Sequence, residues 1–341
     1  MKILLCASSN PRFIELGGYV ERALNALGHR CEKFDFRRFI VPGVIRYRTP
    51  FLNKWDLNRL NRSLIRKASE YRPDILFVIQ GHTLFPETIS TIKRRFGPTT
   101  INWFQDFPKD FEVSLTLAPA FDHFFMTDSY AVQYHLNIGN KNVKCLPFAC
   151  DPQIHRPFNL TKEEQKTYAA DIVFVGSMYG YRIKQLENLV DFNLAIWGPG
   201  WKNLQDRSSL KRFVRGDAVI PSEWVKIFNA SKITFNHIGQ YNMPPYLTGN
   251  NIVNMRFFEA LGCKAFQIVD YKKDISSFLF SDGEDLACYK DNDELKELVK
   301  YYLARPEERK RISENGHRKV LERHTYIHRM KEVFSCLEQK I

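Results

Sequence analysis

Several signals that would fix a protein class are missing from the sequence. No run reaches the roughly 18 consecutive apolar residues that a membrane-spanning helix requires. The first residues are apolar but turn polar after residue 7, which predicts a first β-strand rather than a secretory signal. The seven cysteines are odd in number and contain no Cys-x-x-Cys, which argues against a disulfide framework and structural zinc. We therefore expect reduced thiols in a cytoplasmic protein.

Two common nucleotide motifs are also missing. No Walker A sequence occurs, and no strict Gly-x-Gly-x-x-Gly follows a predicted strand. The sequence therefore gives no motif-based support for ATP hydrolysis or for dinucleotide redox chemistry. No internal repeat and no low-complexity tract is visible either.

Positive charge, by contrast, is abundant. The 341 residues carry a formal net charge of +12, which favours nucleotides, nucleic acid, anionic lipid or a phosphate-bearing substrate as partners. Residues 37–72 hold ten basic and two acidic residues. Leu57, Leu60 and Leu64 fall there at helical spacing, with arginines elsewhere on the wheel. This pattern predicts a helix at an anionic membrane surface, a helix that packs its leucines on the core, or both at once if the arginines face lipid.

The apolar pattern predicts an α/β protein with two domains. Short apolar runs alternate with helical segments twice, as in parallel sheets, and a chain of this length exceeds one ordinary core. We expect two Rossmann-like, doubly wound domains that face each other across a cleft. Residues 1–150 form the first domain, residues 151–170 a linker and residues 171–323 the second domain. The predicted strands cover residues 2–6, 31–36, 74–79, 99–103, 123–127 and 143–146, then 171–175, 194–197, 233–236, 265–269 and 285–288.

The segment from Asn254 to Asp270 is the most informative one. It predicts a buried helix, a break at Gly262 and a buried strand. Arg256 and Glu259 share a face of this apolar helix, so they form either an internal ion pair or a site for a charged ligand. The preceding loop, residues 248–251, is expected to offer free backbone N–H groups to a phosphate.

Two further segments of the second half could contact a nucleotide. Gly176 and Ser177 follow a strand and precede a helix start, where Arg182 could neutralise a diphosphate. Asn236 and His237 end another predicted strand, and Asn236 is the stronger candidate. A glycine at such a turn is common, so the arrangement is also compatible with a purely structural role.

In the first half, Asp106 and His82 compete for the role of catalytic base. Each follows a predicted strand, and we favour Asp106, which lies among aromatic residues. Gly17 and Gly18 follow the first strand and permit either substrate approach or tight helix packing. No metal is expected, because His135, His324 and His328 form no constellation with nearby carboxylates.

Seven motifs occur in order: Pro147-Phe-Ala-Cys-Asp151-Pro152, Phe174-Val-Gly176-Ser177, Asn254-x-Arg256-x-Phe258-Glu259-Ala260, Phe266-Gln-Ile-Val-Asp270, Gly283-Glu-Asp285, Asp293-Glu-Leu295 and His324-Thr-Tyr326-x-His328-Arg329. Together they resemble the CgeB-like branch of GT-B glycosyltransferases. The resemblance covers residues 145–335 and is limited to the fold before that.

The resemblance implies a donor site in the second domain. Glu259 would bind the donor ribose, and Gly176, Ser177 and Arg256 would lie near the diphosphate, with Asn251 and Asn254 beside them. Residues 324–341 would pack back on the first domain. Two positions depart from the family pattern: Asn251 replaces a glutamate found in retaining enzymes, and Lys264 replaces a glycine. The first leaves the stereochemistry open.

We therefore expect a metal-independent glycosyltransferase. The donor is a nucleoside-diphosphate sugar, with UDP as the expected nucleotide, and the acceptor is a glycan, lipid-linked or protein intermediate bound by the first domain. No other cofactor and no nucleic acid is expected, and the location is the cytoplasm or the inner face of the membrane. Three alternatives stay open: a non-catalytic scaffold or coat protein, a sugar-nucleotide epimerase, and a nucleic-acid-binding protein.

Overall fold

The computed structural model describes residues 1–9, 16–108, 110–217, 220–239 and 246–338. The chain divides into two compact units, each with its own sheet. Unit 1 comprises Met1–Pro147, Asn242–Asn250 and Met330–Ile341, as far as these are described. Unit 2 comprises Phe148–Tyr241 and Asn251–Arg329. The residues predicted as a linker, 151–170, lie in unit 2.

Within its described residues, unit 1 has a parallel sheet of six strands in the order β2-β1-β3-β4-β5-β6. The strands are β1 (Lys2–Cys6), β2 (Arg30–Phe34), β3 (Ile75–Ile79), β4 (Thr99–Phe104), β5 (His123–Met126) and β6 (Val143–Cys145). The helices are α1 (Leu16–Ala26), α2 (Gly43–Arg48), α3 (Pro50–Tyr71), α4 (Pro86–Phe96), α5 (Phe111–Leu117) and α6 (Ser129–Asn137).

The described part of unit 2 has a second six-stranded parallel sheet, in the order β12-β11-β10-β7-β8-β9. Its strands are β7 (Ile172–Val175), β8 (Leu194–Trp197), β9 (Val214–Gly216), β10 (Ile233–Asn236), β11 (Gln267–Asp270) and β12 (Ala287–Tyr289). Its helices are α7 (Lys162–Tyr168), α8 (Gly180–Leu186), α9 (Pro221–Ala230), α10 (Met255–Gly262), α11 (Asn292–Leu303) and α12 (Pro306–Arg323). Helix α13 (Tyr326–Glu338) begins in unit 2 and continues into unit 1.

The central strands are buried on both faces, which explains their continuous apolar sequences. All five residues of β3 and all four of β7 are buried, as expected where helices cover both sides of a parallel sheet. The predicted fold class, two Rossmann-like doubly wound sheets, is confirmed. Both sheets change winding direction once, between β1 and β3 in unit 1 and between β7 and β10 in unit 2. Ligands of such sheets bind at this point, beyond the carboxyl ends of the strands.

Some elements were not predicted from the sequence. Helix α7 lies in the predicted linker, where it is started by a capping box between Thr161 and Glu164. Strand β9 is only three residues long, and α2 and α5 are short. Helix α3 begins at Pro50, seven residues before the leucine spacing that predicted it, because none of its first six residues is buried.

The leucine face of α3 packs on the core of unit 1. Leu60, Leu64 and Ala68 belong to its hydrophobic cluster, and Ile65 packs against them. The prediction that this helix packs its leucines on the core is therefore confirmed for Leu60 and Leu64. No helix in the described residues is long and apolar enough to cross a bilayer. All seven cysteines lie among the described residues, and none of them forms a disulfide bond there.

Candidate functional site

In unit 2, the winding change of the sheet brings two predicted segments together. Strands β7 and β10 are direct parallel neighbours, with Phe235 paired to Phe174. Gly176 and Ser177 follow β7, whereas Asn236 ends β10 and His237 follows it. The residues predicted separately as donor contacts therefore leave adjacent strands at the same edge, where Rossmann sheets bind nucleotides.

The loop after β7 is held in place by backbone contacts. The Gly176 carbonyl accepts a hydrogen bond of 2.7 Å from Trp201 Nε1, and Gly176 N donates to the Trp197 carbonyl. Gly198 has a φ of +137°, and a Cβ atom there would lie 2.2 Å from the Gly176 oxygen. Gly198 is therefore required by the close approach of two loops. The contact of Gly198 and Trp201 with Gly176 was not predicted from the sequence.

Arg182 lies beside this loop and is mostly buried. Its Nη1 donates to the Ser177 carbonyl at 2.9 Å, and its guanidinium lies 5.1 Å from the centre of the Tyr179 ring and 5.5 Å from that of Tyr181. The two tyrosine rings stack on each other at 5.7 Å, and Tyr179 is half exposed. Neither tyrosine was predicted as a site residue, although Tyr-Gly-Tyr beside the predicted phosphate loop was a visible signal.

Asn236 and Asn254 bind each other through both of their amide groups. Asn236 Nδ2 donates to Asn254 Oδ1 at 3.2 Å, and Asn254 Nδ2 donates to Asn236 Oδ1 at 3.0 Å. Asn254 also caps α10, since its Oδ1 accepts from Phe257 N. This exchange fixes the first turn of α10, with its positive dipole end, against the end of β10.

His237 follows β10 and is partly buried. Its Nδ1 lies 2.7 Å from the Tyr289 hydroxyl, and burial lowers the pKa of the imidazole. Asp270 accepts from the N–H groups of Ile238 and Gly239 and so fixes the loop that follows His237. Tyr289 lies 52 positions from His237 in the chain, so no local pattern could reveal this contact.

Arg256 and Glu259 form the internal ion pair that the sequence left open. The Glu259 side chain is 1% exposed, with Oε2 2.5 Å from Arg256 Nη1 and Oε1 3.6 Å from His155 Nε2. Arg256 keeps 26% exposure and lies over Trp224 at 4.0 Å from the ring centre. His155 accepts from Asp151 N through Nδ1, which places the proton of a neutral ring on Nε2, facing Glu259.

The loop before α10 does not match the expectation of freely available N–H groups. Thr248 N donates to the Tyr130 hydroxyl at 3.0 Å, and a Cβ on Gly249 would lie 3.5 Å from that ring. The expectation was wrong for Thr248, because a tyrosine from α6 occupies its donor. Asn251 lies in unit 2 and is partly buried.

In unit 1, the two rival bases lie together. His82 Nε2 is 3.4 Å from Asp106 Oδ2 and 3.3 Å from Asp110 Oδ2, and Gln80 Nε2 donates to Asp106 Oδ2 at 2.6 Å. Strands β3 and β4 are neighbours in the sheet, so residues that follow them meet at one edge. Asp110, which precedes the short helix α5, was not predicted from the sequence.

The same three side chains could serve as metal ligands. One ligand atom from each of His82, Asp106 and Asp110 lies within 4.8 Å of the others. The sequence-based expectation of no metal considered other histidines and did not foresee this group. A His–Asp–Asp set suits a divalent ion, and all three residues are only partly buried.

Of the two glycines of α1, Gly17 has a packing role. A Cβ on Gly17 would lie 2.4 Å from the Ala7 Cβ, so this glycine lets α1 pack closely on Ala7, the residue after β1. Gly18 is half-buried on the same helix. Residues 10–15, between the first strand and these glycines, lie outside the described residues.

Comparison with known proteins supports the resemblance seen in the motifs. Residues 182–335, which carry most of the unit 2 candidates, match a family model described as glycosyl transferase-like. The spore protein CgeB of Bacillus subtilis (strain 168) is 22% identical over 271 residues, or 77% of this chain and 82% of CgeB. The chain is therefore similar to CgeB, and residues 182–335 are glycosyl transferase-like. The family predicted from the sequence is confirmed.

Solved structures support the fold of this CgeB-like chain over its full length. A sucrose-phosphate synthase from Thermosynechococcus elongatus superposes with a TM-score of 0.71 at 12% identity, covering 98% of both chains. Anabaena HepE, in complex with UDP-glucose, gives a TM-score of 0.65 at 12% identity and covers 100% of both chains. At such identities the likeness establishes the GT-B fold and not the substrate.

Proposed function

We propose that the CgeB-like chain transfers a sugar from a nucleoside-diphosphate donor, held by unit 2, to an acceptor bound by unit 1. The observation that carries this proposal is the winding change between β7 and β10, where the Gly176 loop, Arg182 and the start of α10 converge. A glycine loop, a guanidinium and a helix N-terminus are the groups that bind a diphosphate. The structurally similar Anabaena HepE is in complex with UDP-glucose, which supports UDP as the nucleotide.

Within this site we assign Gly176, Ser177 and Arg182 to the diphosphate. Tyr179 offers an exposed ring, stacked on Tyr181, to the flat face of a nucleobase. Asn236, Asn251 and Asn254 would lie near the sugar.

The proposed role of Arg256 and Glu259 follows from their ion pair. Arg256 uses Nη1 for Glu259, so its Nε and Nη2 can donate to the β-phosphate. Glu259 would contact the donor ribose only after it moves, since both of its oxygens face protein groups. The supported role of Glu259 is therefore to hold Arg256 in position.

The chemical step breaks the bond between the anomeric carbon and a β-phosphate oxygen, which keeps the electron pair. A new bond forms between that carbon and an acceptor oxygen, whose proton passes to a base. Arg256, Arg182 and the amides of α10 would stabilise the leaving diphosphate. We propose Asp106 as the base, with His82 beside it as the alternative.

We propose that turnover needs no metal, because the cationic groups of unit 2 can neutralise the leaving group. The acceptor would be a glycan, a lipid-linked intermediate or a protein of a surface polysaccharide or coat pathway. A cytoplasmic location is proposed from the scattered, odd-numbered cysteines, which favour a reducing compartment.

A thermal-shift screen against UDP-, GDP- and ADP-sugars tests the donor proposal. A ligand that binds only the folded state raises the melting temperature, and we expect the largest rise with a UDP-sugar, with and without EDTA. No shift with any sugar nucleotide would contradict the proposal.

A non-catalytic coat protein is the second candidate, because the relative CgeB is named as a spore protein. Asn251, which replaces the glutamate of retaining enzymes, is compatible with lost activity. Release of free UDP from a UDP-sugar by the purified protein would exclude this candidate, whereas donor binding without any turnover would favour it.

A further inference from the structure

Unit 1 exposes a group of large hydrophobic side chains at one place. The four most exposed ones among the described residues all lie between positions 40 and 51: Tyr47 (79%), Phe51 (71%), Val44 (70%) and Ile40 (65%). Trp55, also near this segment, is 52% exposed. They lie on α2, at the start of α3 and on the loop before α2. Single exposed apolar residues are common, but a cluster indicates an interaction surface.

Positive charge surrounds these side chains. Residues 37–66 contain eight basic residues and one acidic residue, a net +7 of the +12 of the chain. The single acid, Asp56, is fully buried and paired with Arg59, so it contributes no negative charge at the surface. The exposed basic residues are Arg37, Arg38, Arg48, Lys54, Arg62 and Arg66.

Helix α3 presents this surface on one of its faces. Four exposed residues lie on one side of the helix, because they are spaced by four, seven and four positions: Phe51, Trp55, Arg62 and Arg66. A surface pocket of about 350 Å³ opens on this face, lined by Trp55, Asn58, Arg59, Arg62, Ser63 and Arg66. A pocket with three guanidinium groups and an indole fits a phosphate group attached to an apolar body.

The segment that carries the aliphatic residues is fixed on α3. The Asp56 carboxylate accepts from the N–H groups of Ile40 and Val41 at 3.0 and 2.9 Å and from Arg59 Nε at 2.9 Å. The Arg46 guanidinium lies 3.3 Å from the centre of the Phe39 ring and is buried. The exposed side chains are therefore presented by an ordered backbone.

We propose that this basic–apolar patch, formed by Ile40, Val44, Tyr47, Phe51, Trp55, Arg62 and Arg66, docks the protein on a membrane that contains anionic phospholipids. The aromatic rings and aliphatic side chains enter the headgroup boundary, and the arginines bind lipid phosphates. Nucleic acid would match the charge but would gain nothing from the exposed Ile40 and Val44. The inference does not depend on the transferase proposal, since none of its residues belongs to the donor site.

Cosedimentation of the full chain with vesicles tests the patch. Phosphatidylcholine vesicles with added phosphatidylglycerol are expected to bind the protein, and pure phosphatidylcholine vesicles much less. The double variants Tyr47→Ser/Phe51→Ser and Arg62→Glu/Arg66→Glu should each weaken binding at least about tenfold. All four side chains are exposed, so the variants should melt as the wild type does.

Two controls match these variants elsewhere on the surface. Phe278→Ser removes an exposed ring of unit 2, and Arg94→Glu/Arg95→Glu reverses two exposed charges on α4. Both should bind vesicles like the wild type. Failure of the wild type to bind anionic vesicles would overturn the proposal, as would equal losses in patch and control variants. Binding of single-stranded DNA, but not of vesicles, through the same arginines would overturn it in favour of nucleic acid.

Discussion

Arg256 donates to the buried carboxylate of Glu259 over 2.5 Å and lies over Trp224 with its guanidinium 4.0 Å from the ring centre. The two residues are one turn apart on α10, whose first turn is fixed to β10 by the paired amides of Asn236 and Asn254. The pair therefore connects the proposed diphosphate site to the core of unit 2. It also makes stability and turnover inseparable in simple alanine variants.

Removal of one partner of this pair is expected to cost stability. Arg256→Ala leaves the Glu259 carboxylate buried without its cation, and we expect a loss of about 2–4 kcal/mol in the free energy of unfolding. Glu259→Gln should cost less, because the amide keeps a hydrogen-bond acceptor for Arg256. Chemical denaturation of the three proteins measures both differences.

The double variant Arg256→Met/Glu259→Gln distinguishes a structural ion pair from a donor contact. Its stability should lie above that of Arg256→Ala, since no buried charge is left unpaired. If Arg256 also binds the diphosphate, the double variant remains inactive although it is stable. Full donor turnover in the stable double variant would contradict the proposed role of Arg256.

Gly198→Ala is expected to disrupt the loop that carries Gly176. The new Cβ would meet the Gly176 carbonyl at 2.2 Å at a φ that L-residues rarely adopt, which should cost about 2–4 kcal/mol and weaken donor binding. Gly180→Ala is the matched control, because a Cβ atom at that position would have no neighbouring atom within 4 Å among the described residues. Equal melting temperatures for the two variants would show that the close approach is not required.

His135 should make unit 1 sensitive to acid. It is fully buried, its Nε2 faces Ser114 Oγ at 3.0 Å, and burial lowers the pKa of the imidazole to about 4. The folded state then binds fewer protons than the unfolded state below pH 6.5, so the stability that His135 contributes is lost as the pH falls. The stability difference between wild type and His135→Gln should shrink by about 2 kcal/mol from about pH 7 to about pH 5. A difference that stays constant would contradict this account.

Variants of Asp106 and Asp110 distinguish an acid–base role of the group His82, Asp106 and Asp110 from metal binding. If Asp106 is the base, Asp106→Asn should lower kcat at least about 100-fold and leave the KM for the donor little changed. EDTA should then have no effect on turnover, and Asp110→Asn should retain most of it. A melting temperature that rises with Mn²⁺ in the wild type but not in Asp106→Asn would instead assign the group to a metal.

Much of the fold could be predicted because it depends on local pattern. The buried strands Ile75–Ile79 and Ile172–Val175 are continuous apolar runs, and the i,i+3 spacing of Arg256 and Glu259 revealed their shared face. Asp106 and His82 could be named, because each follows a strand, although only the sheet order shows that they meet. Exposed or short elements such as α2 and β9 carry no such periodicity.

The remaining site features depend on contacts between distant segments. His155 reaches Glu259 from a segment far away in the chain, and Gly198 is needed only because the Gly176 loop lies against it. The Thr248 amide could not be known to bind Tyr130 from its own sequence neighbourhood. Packing between distant segments decides which polar groups already have a hydrogen-bond partner. A single sequence does not show these contacts.

The central claim is that the carboxyl edge of β7 and β10 binds the diphosphate of a sugar nucleotide. Calorimetric titration of UDP onto the wild type, Arg182→Ala and the exposed-residue control Lys184→Ala, all in EDTA, tests it most directly. We expect the wild type and Lys184→Ala to bind alike and Arg182→Ala to bind at least about tenfold more weakly, as for a lost charge-assisted contact. Absence of UDP binding to the wild type, or equal affinities for all three proteins, would contradict the account.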